Sequence, residues 1–167
     1  MKQAIMKHEA KFTKDLPGNK LHVSRAYDAP IEKVWRAWTQ NDILDQWWAP
    51  RPFKAETKSM EFRPGGLWHY CMVGPNGERH WCRVAFEAVV PGKSFTATSG
   101  FCDEHGTPNN TLPLMHWHTR FLPTATGTTI DVTITFDKEA DLQAIVQMGF
   151  EGGFTMGLNN LEEWLDA

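Results

Sequence analysis

Residues 20–52 read KLHVSRAYDAPIEKVWRAWTQNDILDQWWAPRP, and the change of period along them sets the fold. From Lys20 to Tyr27 the side chains alternate, Leu21, Val23, Arg25 and Tyr27 against His22, Ser24 and Ala26, which predicts a strand with one buried face. Asp28-Ala29-Pro30 then starts a helix: Pro30 suits the first turn, and Asp28 offers a carboxylate to the free N–H groups. Ile31, Val34, Trp35 and Trp38 form its apolar stripe. Thr39-x-x-Asp42 has the form of a capping box for a second short helix carrying Ile43, Leu44, Trp47 and Trp48. Pro50 and Pro52 end it.

Beyond this stretch the period switches to strands and turns. Candidate strands are Phe53–Phe62, Leu67–Val73, Arg79–Val90, Ser94–Gly100, Leu114–Phe121 and Thr128–Phe136, separated by turns such as Asn76-Gly77 and Thr126-Gly127. Residues 101–113, FCDEHGTPNNTLP, are a polar and potentially mobile loop. From Lys138 to Leu165 the period is helical again, with Asp137 as the expected cap. Leu142, Val146, Phe150, Leu161 and Trp164 share a face with Gly149, Gly153 and Gly157. A glycine inside a helix costs ~1 kcal/mol against alanine. Three on one stripe therefore predict either a close approach or room for a guest, and Gly152-Gly153 marks an expected kink. Residues 1–19, ending in Leu16-Pro17-Gly18-Asn19, form an N-terminal arm, mobile or added as an edge strand.

The order is strand, two short helices, a run of strands and a long C-terminal helix. Consecutive hairpins imply an antiparallel sheet, and the long helix must cover its concave face. The expected architecture is α+β, one domain over residues 20–167 with a curved sheet gripping a helix. A chain of 167 residues with 41% apolar and 22% charged residues can bury a core without disulfides or metal. The net charge of −3 gives no footprint for nucleic acid. No apolar run approaches a membrane span, and MKQAIMKHEAKF does not read as a signal peptide. Cys71, Cys82 and Cys102 form no CxxC pattern, so a reduced, cytoplasmic protein is expected. Eight Trp and ten Phe exceed what a small core requires and suit the walls of a ligand cavity.

Three stretches carry a family resemblance: RAYDAPIEKVWRAWTQNDILDQWWAP, RPGGLWHYCMVGPNG and MGFEGGFTMGLNNLEEWL. They resemble the SRPBCC (START-like, helix-grip) superfamily, and within it the group related to the C-terminal domain of the heat-shock-protein-90 ATPase activator. Arg25, Ala29-Pro30 with Val34-Trp35, Trp47-Trp48-x-Pro50 and Gly65-Gly66 match that pattern in order. The resemblance implies the helix-grip fold and a cavity between sheet and C-terminal helix. It spans lipid carriers, hormone receptors, polyketide cyclases, hydroxylase subunits and chaperone regulators, so the function has to be read from the site. The eukaryotic activator has a separate chaperone-binding domain for which this chain has no room, which weakens the expectation of a chaperone partner.

Pairing across Asn76-Gly77 as a two-residue turn sets Cys71 opposite Cys82 and His69 opposite Val84. His69, Cys71, His80, Cys82, Val84 and Phe86 then share the inner wall, and Trp68, Tyr70 and Trp81 fall outside as an aromatic patch suited to a homodimer. A zinc or redox site is one reading of the two Cys and two His. Core cysteines with histidines at a cavity rim is the preferred one, because neighbouring cross-strand positions hardly wrap a tetrahedral ion. On the next hairpin, a Thr126-Gly127 turn pairs Phe121 with Val132. Met115, Trp117 and Phe121 then point inward, and His116, His118 and Arg120 point outward near Asp131, so His116-x-His118 is read as a surface pair rather than a metal site.

The cavity candidates are accordingly Trp35, Trp38, Trp47, Trp48, His69, Cys71, His80, Cys82, Phe86, Trp117, Phe121, Val146, Phe150, Gly153 and Gly157, with one of Trp47 and Trp48 at the mouth. No GxSxG, HExxH, Walker or GxGxxG pattern occurs, and among His69, His80, Glu61 and Arg83 nothing sets a nucleophile beside a base. No catalytic residue, metal or cofactor is assigned. The leading expectation is a non-catalytic carrier or sensor for a small hydrophobic or aromatic molecule. A polyketide cyclase or dehydratase-like enzyme and a chaperone-regulating module are the alternatives.

Overall fold

A computed structural model describes residues 6–167. The first five residues of the predicted arm lie outside the described part. The elements in chain order are β1 (Lys11–Asp15), β2 (Lys20–Tyr27), α1 (Ile31–Thr39), α2 (Asn41–Trp47), β3 (Lys54–Met60), β4 (Leu67–Val73), β5 (Arg79–Val90), β6 (Ser94–Phe101), β7 (Met115–Pro123), β8 (Thr128–Thr135), α3 (Glu139–Gln147) and α4 (Phe150–Asp166). All strands join one antiparallel sheet in the order β1-β2-β8-β7-β6-β5-β4-β3. The arm contributes its edge strand, β1. The helices lie on the concave face, giving the expected α+β helix-grip fold.

The alternation in β2 holds: Leu21, Val23, Arg25 and Tyr27 are all buried. Burial of an arginine demands partners. The Arg25 guanidinium donates to Asn159 Oδ1 at 2.7 Å and Glu162 Oε1 at 3.2 Å, both on α4. Tyr27 Oη donates to the Leu158 carbonyl at 2.9 Å. From the other side, Asn160 Nδ2 reaches the carbonyls of Trp47 and Ala49 at 3.3 and 3.2 Å. These bonds hold α4 against β2 and the end of α2.

The expected caps are not used. No side chain caps α1, α2 or α3. Asp28 instead pairs with His8, Thr39 Oγ1 donates back to the Trp35 carbonyl, and Asp137 pairs with His116. The single C-terminal helix is two helices. Gly149 adopts φ 90°, a left-handed conformation that ends one helix and that glycine reaches without a Cβ penalty. The break thus falls before Gly152-Gly153, and both lie inside α4.

The β4–β5 hairpin corrects the predicted register. Gly74 N–H donates to the Glu78 carbonyl, leaving a three-residue loop of Pro75, Asn76 and Gly77 in which only Gly77 has positive φ. That is a type I turn followed by a left-handed glycine. Pro75 has no N–H with which to close the shorter turn. Cys71 therefore faces Trp81, and Tyr70 faces Cys82. A one-residue shift turns a whole strand over, so Trp68 and Tyr70 point inward while His69 and Cys71 lie on the outer side. The two cysteines are on opposite faces of the sheet, and of the expected external aromatic patch Trp81 alone remains.

The β7–β8 pairing is also displaced, with Phe121 opposite Ile130 rather than Val132. This shift is two residues, so the faces survive. Met115, Trp117 and Phe121 are buried, and Arg120 on the outer face pairs with Asp131.

Candidate functional site

Over β4, β5 and β6 the concave face is not filled. A cavity of about 420 Å³ lies between these strands, β7, the end of α2 and the start of α4. It is more than ten times the ~30 Å³ that one water occupies in the liquid, and it falls within the ~300–1,000 Å³ typical of small-molecule sites. Its inner end is closed by buried residues, among them Trp38, Leu44, Phe86, Phe95 and Thr119. Its outer end is marked by exposed His80, by Met148 at 58% exposure, and by half-buried Pro50, Phe53, Met72 and Phe150. The mouth thus opens between the α3–α4 break, the chain after α2 and the tip of the β4–β5 hairpin.

Aromatic rings build the walls. Trp48 stands edge-on to Trp38, Trp68 and Phe154 at centroid distances of 5.6, 5.6 and 6.0 Å. Trp117 meets Phe154 at 5.5 Å, and Tyr70 stacks on Trp68 at 4.1 Å. Their polar atoms are largely turned into the protein. Trp117 Nε1 donates to Ser99, Trp68 Nε1 to Thr57, and Trp48 Nε1 to Tyr70 Oη at 2.9 Å. Burial pushes the Cys82 thiol up to about 12 and holds the Tyr70 phenol well above its usual value. Both stay neutral near pH 7.

Of the predicted cavity residues, the structure brings Trp38, Trp48, His80, Cys82, Phe86, Trp117, Phe150 and Gly153 to this space. The others are elsewhere. Trp47 is buried with its N–H on the Ala37 carbonyl. Trp35 and Phe121 pack together at 5.0 Å behind the cavity wall, and Val146 is half-buried against the core from α3. Gly157 serves close packing: a Cβ there would stand 2.9 Å from the Trp48 carbonyl oxygen. Gly153 differs, because its Cβ would meet only Pro50 at 3.7 Å. The glycine stripe therefore contains a helix break, a lining position and a point of close approach.

His69 and Cys71 are buried on the outer face. Residues 103–106 of the polar loop are hydrogen-bonded across that face. His69 Nε2 donates to the Asp103 carbonyl, Arg83 to the Gly106 carbonyl and Lys58 to the Glu104 carbonyl. The Asp103 carboxylate accepts the N–H groups of Thr107 and His105, which holds its pKa below the usual range. Sequence reasoning missed Trp68 and Tyr70 as lining residues, and the missed signal is Pro75; Val84 lines the cavity from the inner wall as expected. No three His, Cys, Asp or Glu side chains converge to hold a metal among the described residues. There too, no helix is long and apolar enough to cross a membrane.

The model of the family described as activator of Hsp90 ATPase homolog 1-like protein matches residues 28–166. The chain belongs to this family. Solved structures similar to it include a Mycobacterium smegmatis protein, 28% identical, with a TM-score of 0.86 over 93% of this chain and 95% of that one. An Arthrobacter aurescens protein is 27% identical, with a TM-score of 0.88 over 93% and 91%. One from Staphylococcus epidermidis is 26% identical, with a TM-score of 0.82 over 93% of each. No curated protein matches the chain. Within the family framework, Arg25 and Glu162 appear as the buried pair that seats α4, and Trp48 as the ring shared by the helical layer and the cavity wall.

Proposed function

We propose that this family member is a non-catalytic binding protein, a carrier or sensor for a small uncharged hydrophobic or aromatic molecule held between the sheet and α4. The observation that carries this reading is the 420 Å³ ring-lined cavity with its mouth at Gly153 and Pro50. Among the described residues, no Asp, Glu, Lys or Arg lines it. Burying a charged ligand there without a partner would be strongly unfavourable. The same lining favours binding over the cyclase alternative. General acid–base work needs an imidazole or carboxylate oriented by a third group. His69 lies on the other face, and His80 is an exposed residue at the rim packed on Phe53 at 5.9 Å.

The test is titration with the neutral fluorescent probe N-phenyl-1-naphthylamine. The wild-type protein takes up one equivalent. Gly153→Leu, whose side chain enters the mouth, binds at least about tenfold more weakly while still unfolding cooperatively. No uptake by the wild-type protein, or unchanged uptake by the variant, overturns the reading.

A further inference from the structure

One polar group in the cavity wall has only a weak acceptor for its proton. Tyr70 Oη accepts the Trp48 N–H at 2.9 Å, and no oxygen or nitrogen accepts its own proton among the described residues. The O–H is directed to the Cys82 thiol, a weak acceptor. A buried hydroxyl that lacks a good acceptor forfeits the hydrogen bond it made to water. Donation from Trp48 polarises the phenol and strengthens it as a donor. The ring is held in place by its stack on Trp68, which is itself anchored through Thr57 to Asp45. Around the same tryptophan the polar inventory is short of acceptors in a second place. Trp38 Nε1 and Thr119 Oγ1, both buried in the inner wall, also lack partners. An indole N–H can only donate, whereas the Thr119 hydroxyl can donate or accept, so unpartnered donors stand in the wall beside Tyr70 with no cation among them.

We propose that Tyr70 orients the occupant. The cavity takes an uncharged, flat, mostly apolar molecule bearing one acceptor oxygen, such as a ketone, and the Tyr70 O–H donates to that oxygen. This rests on the binding reading above and goes beyond it by assigning the ligand's polar feature and the residue that reads it. A purely apolar cavity makes the opposite demand. Moving a carbonyl from water into a wall without donors is unfavourable, so such a cavity prefers the hydrocarbon.

Fluorene and 9-fluorenone have the same ring framework and differ in the carbonyl. The wild-type protein is expected to bind fluorenone about tenfold more tightly than fluorene, the size of one hydrogen bond. In Tyr70→Phe that preference disappears, while fluorene affinity changes by less than about threefold. Thr133→Val, on the outer face of β8, retains it. The infrared carbonyl band of fluorenone bound to the wild-type protein lies below its position in hexane, and it moves back toward that position in Tyr70→Phe. Equal affinities, an unshifted band, loss of preference in Thr133→Val, or its retention in Tyr70→Phe overturns the assignment. Should Tyr70→Phe fail to fold, the wild-type band position decides. If neither compound binds the wild-type protein, the binding reading itself falls, a result distinct from binding without preference.

Discussion

Where β2 and β8 meet α4, the buried side chains are mostly aliphatic: Leu21, Val23, Ile130, Val132 and Ile134 against Leu158, Leu161 and Leu165. Where β4, β5 and β6 face the same layer, they are mainly rings, and the space between them stays open. Both regions are apolar and lie on one sheet, so hydrophobicity does not distinguish them. Shape does. Branched aliphatic chains rotate and interdigitate until the gap is filled to the density of an organic crystal. Tryptophan and phenylalanine are rigid plates that prefer edge-to-face contacts at ~4.5–7 Å between centroids. Plates braced edge-to-face can form an arch and leave a cavity beneath it. The polar groups differ too: Arg25 and Glu162 fasten α4 on the aliphatic side, while on the ring side Trp38 Nε1 and Thr119 Oγ1 are buried without partners.

The contrast is most directly challenged by truncation. Leu161→Ala removes atoms from the filled half and is expected to destabilise by ~2–5 kcal/mol. Val84→Ala removes atoms that border open space and should lower stability much less. Urea unfolding of both variants checks this, and equal losses would mean that the two halves are packed alike.

A smaller effect is expected within one face of α4. Gly157→Ala forces a methyl group against the Trp48 carbonyl oxygen and should destabilise by ~1–3 kcal/mol. Gly153→Ala meets Pro50 at an ordinary contact distance and should stay within ~0.5 kcal/mol of wild type. Thermal melts of the pair sharpen the comparison. A larger loss at Gly153 would place the tight approach at the wrong end of the helix.

The smallest effect concerns pH. Burial in the hollow half raises the Cys82 thiol to about 12 when folded. Its contribution is therefore fully present below the unfolded thiol pKa of ~8.5 and is lost as pH rises toward the folded value. Between pH 9 and 10 Cys82 adds a fall of ~1 kcal/mol, which Cys82→Ala removes. A smaller share of the slope remains from Cys102, Tyr27 and Tyr70, all raised by burial, and the tyrosine share steepens above pH 10 as the unfolded chain ionises them. An unchanged slope in Cys82→Ala between pH 9 and 10 would assign the whole fall to those groups.

Much of this was legible along the chain. Strand β2, and the bounds of β4 and β5, follow from alternation and turn residues, and in β7 the inward set Met115, Trp117 and Phe121 survives a wrong turn because the error is an even number of residues. The β4–β5 hairpin shows the opposite case. One additional loop residue exchanged Trp68 and Tyr70 for His69 and Cys71, and with them the polar character of the cavity wall. Pro75 held the information, as a missing N–H rather than as a hydrophobic pattern.

Periodicity is a property of neighbouring residues, so the element order, the inward face within each strand and the excess of aromatic mass are all present in the chain before it folds. Register, the break at Gly149 and the cavity belong to a different class. Register turns on which backbone groups close a loop, the Gly74 N–H on the Glu78 carbonyl, and the cavity on groups distant in sequence: α4 held by Arg25 at one side and by the Trp47 and Ala49 carbonyls at the other, Trp48 braced between Trp38 and Trp68. A list of tryptophans cannot distinguish a filled core from an arch, because the same rings make both. The position in which α4 is fastened decides which it is.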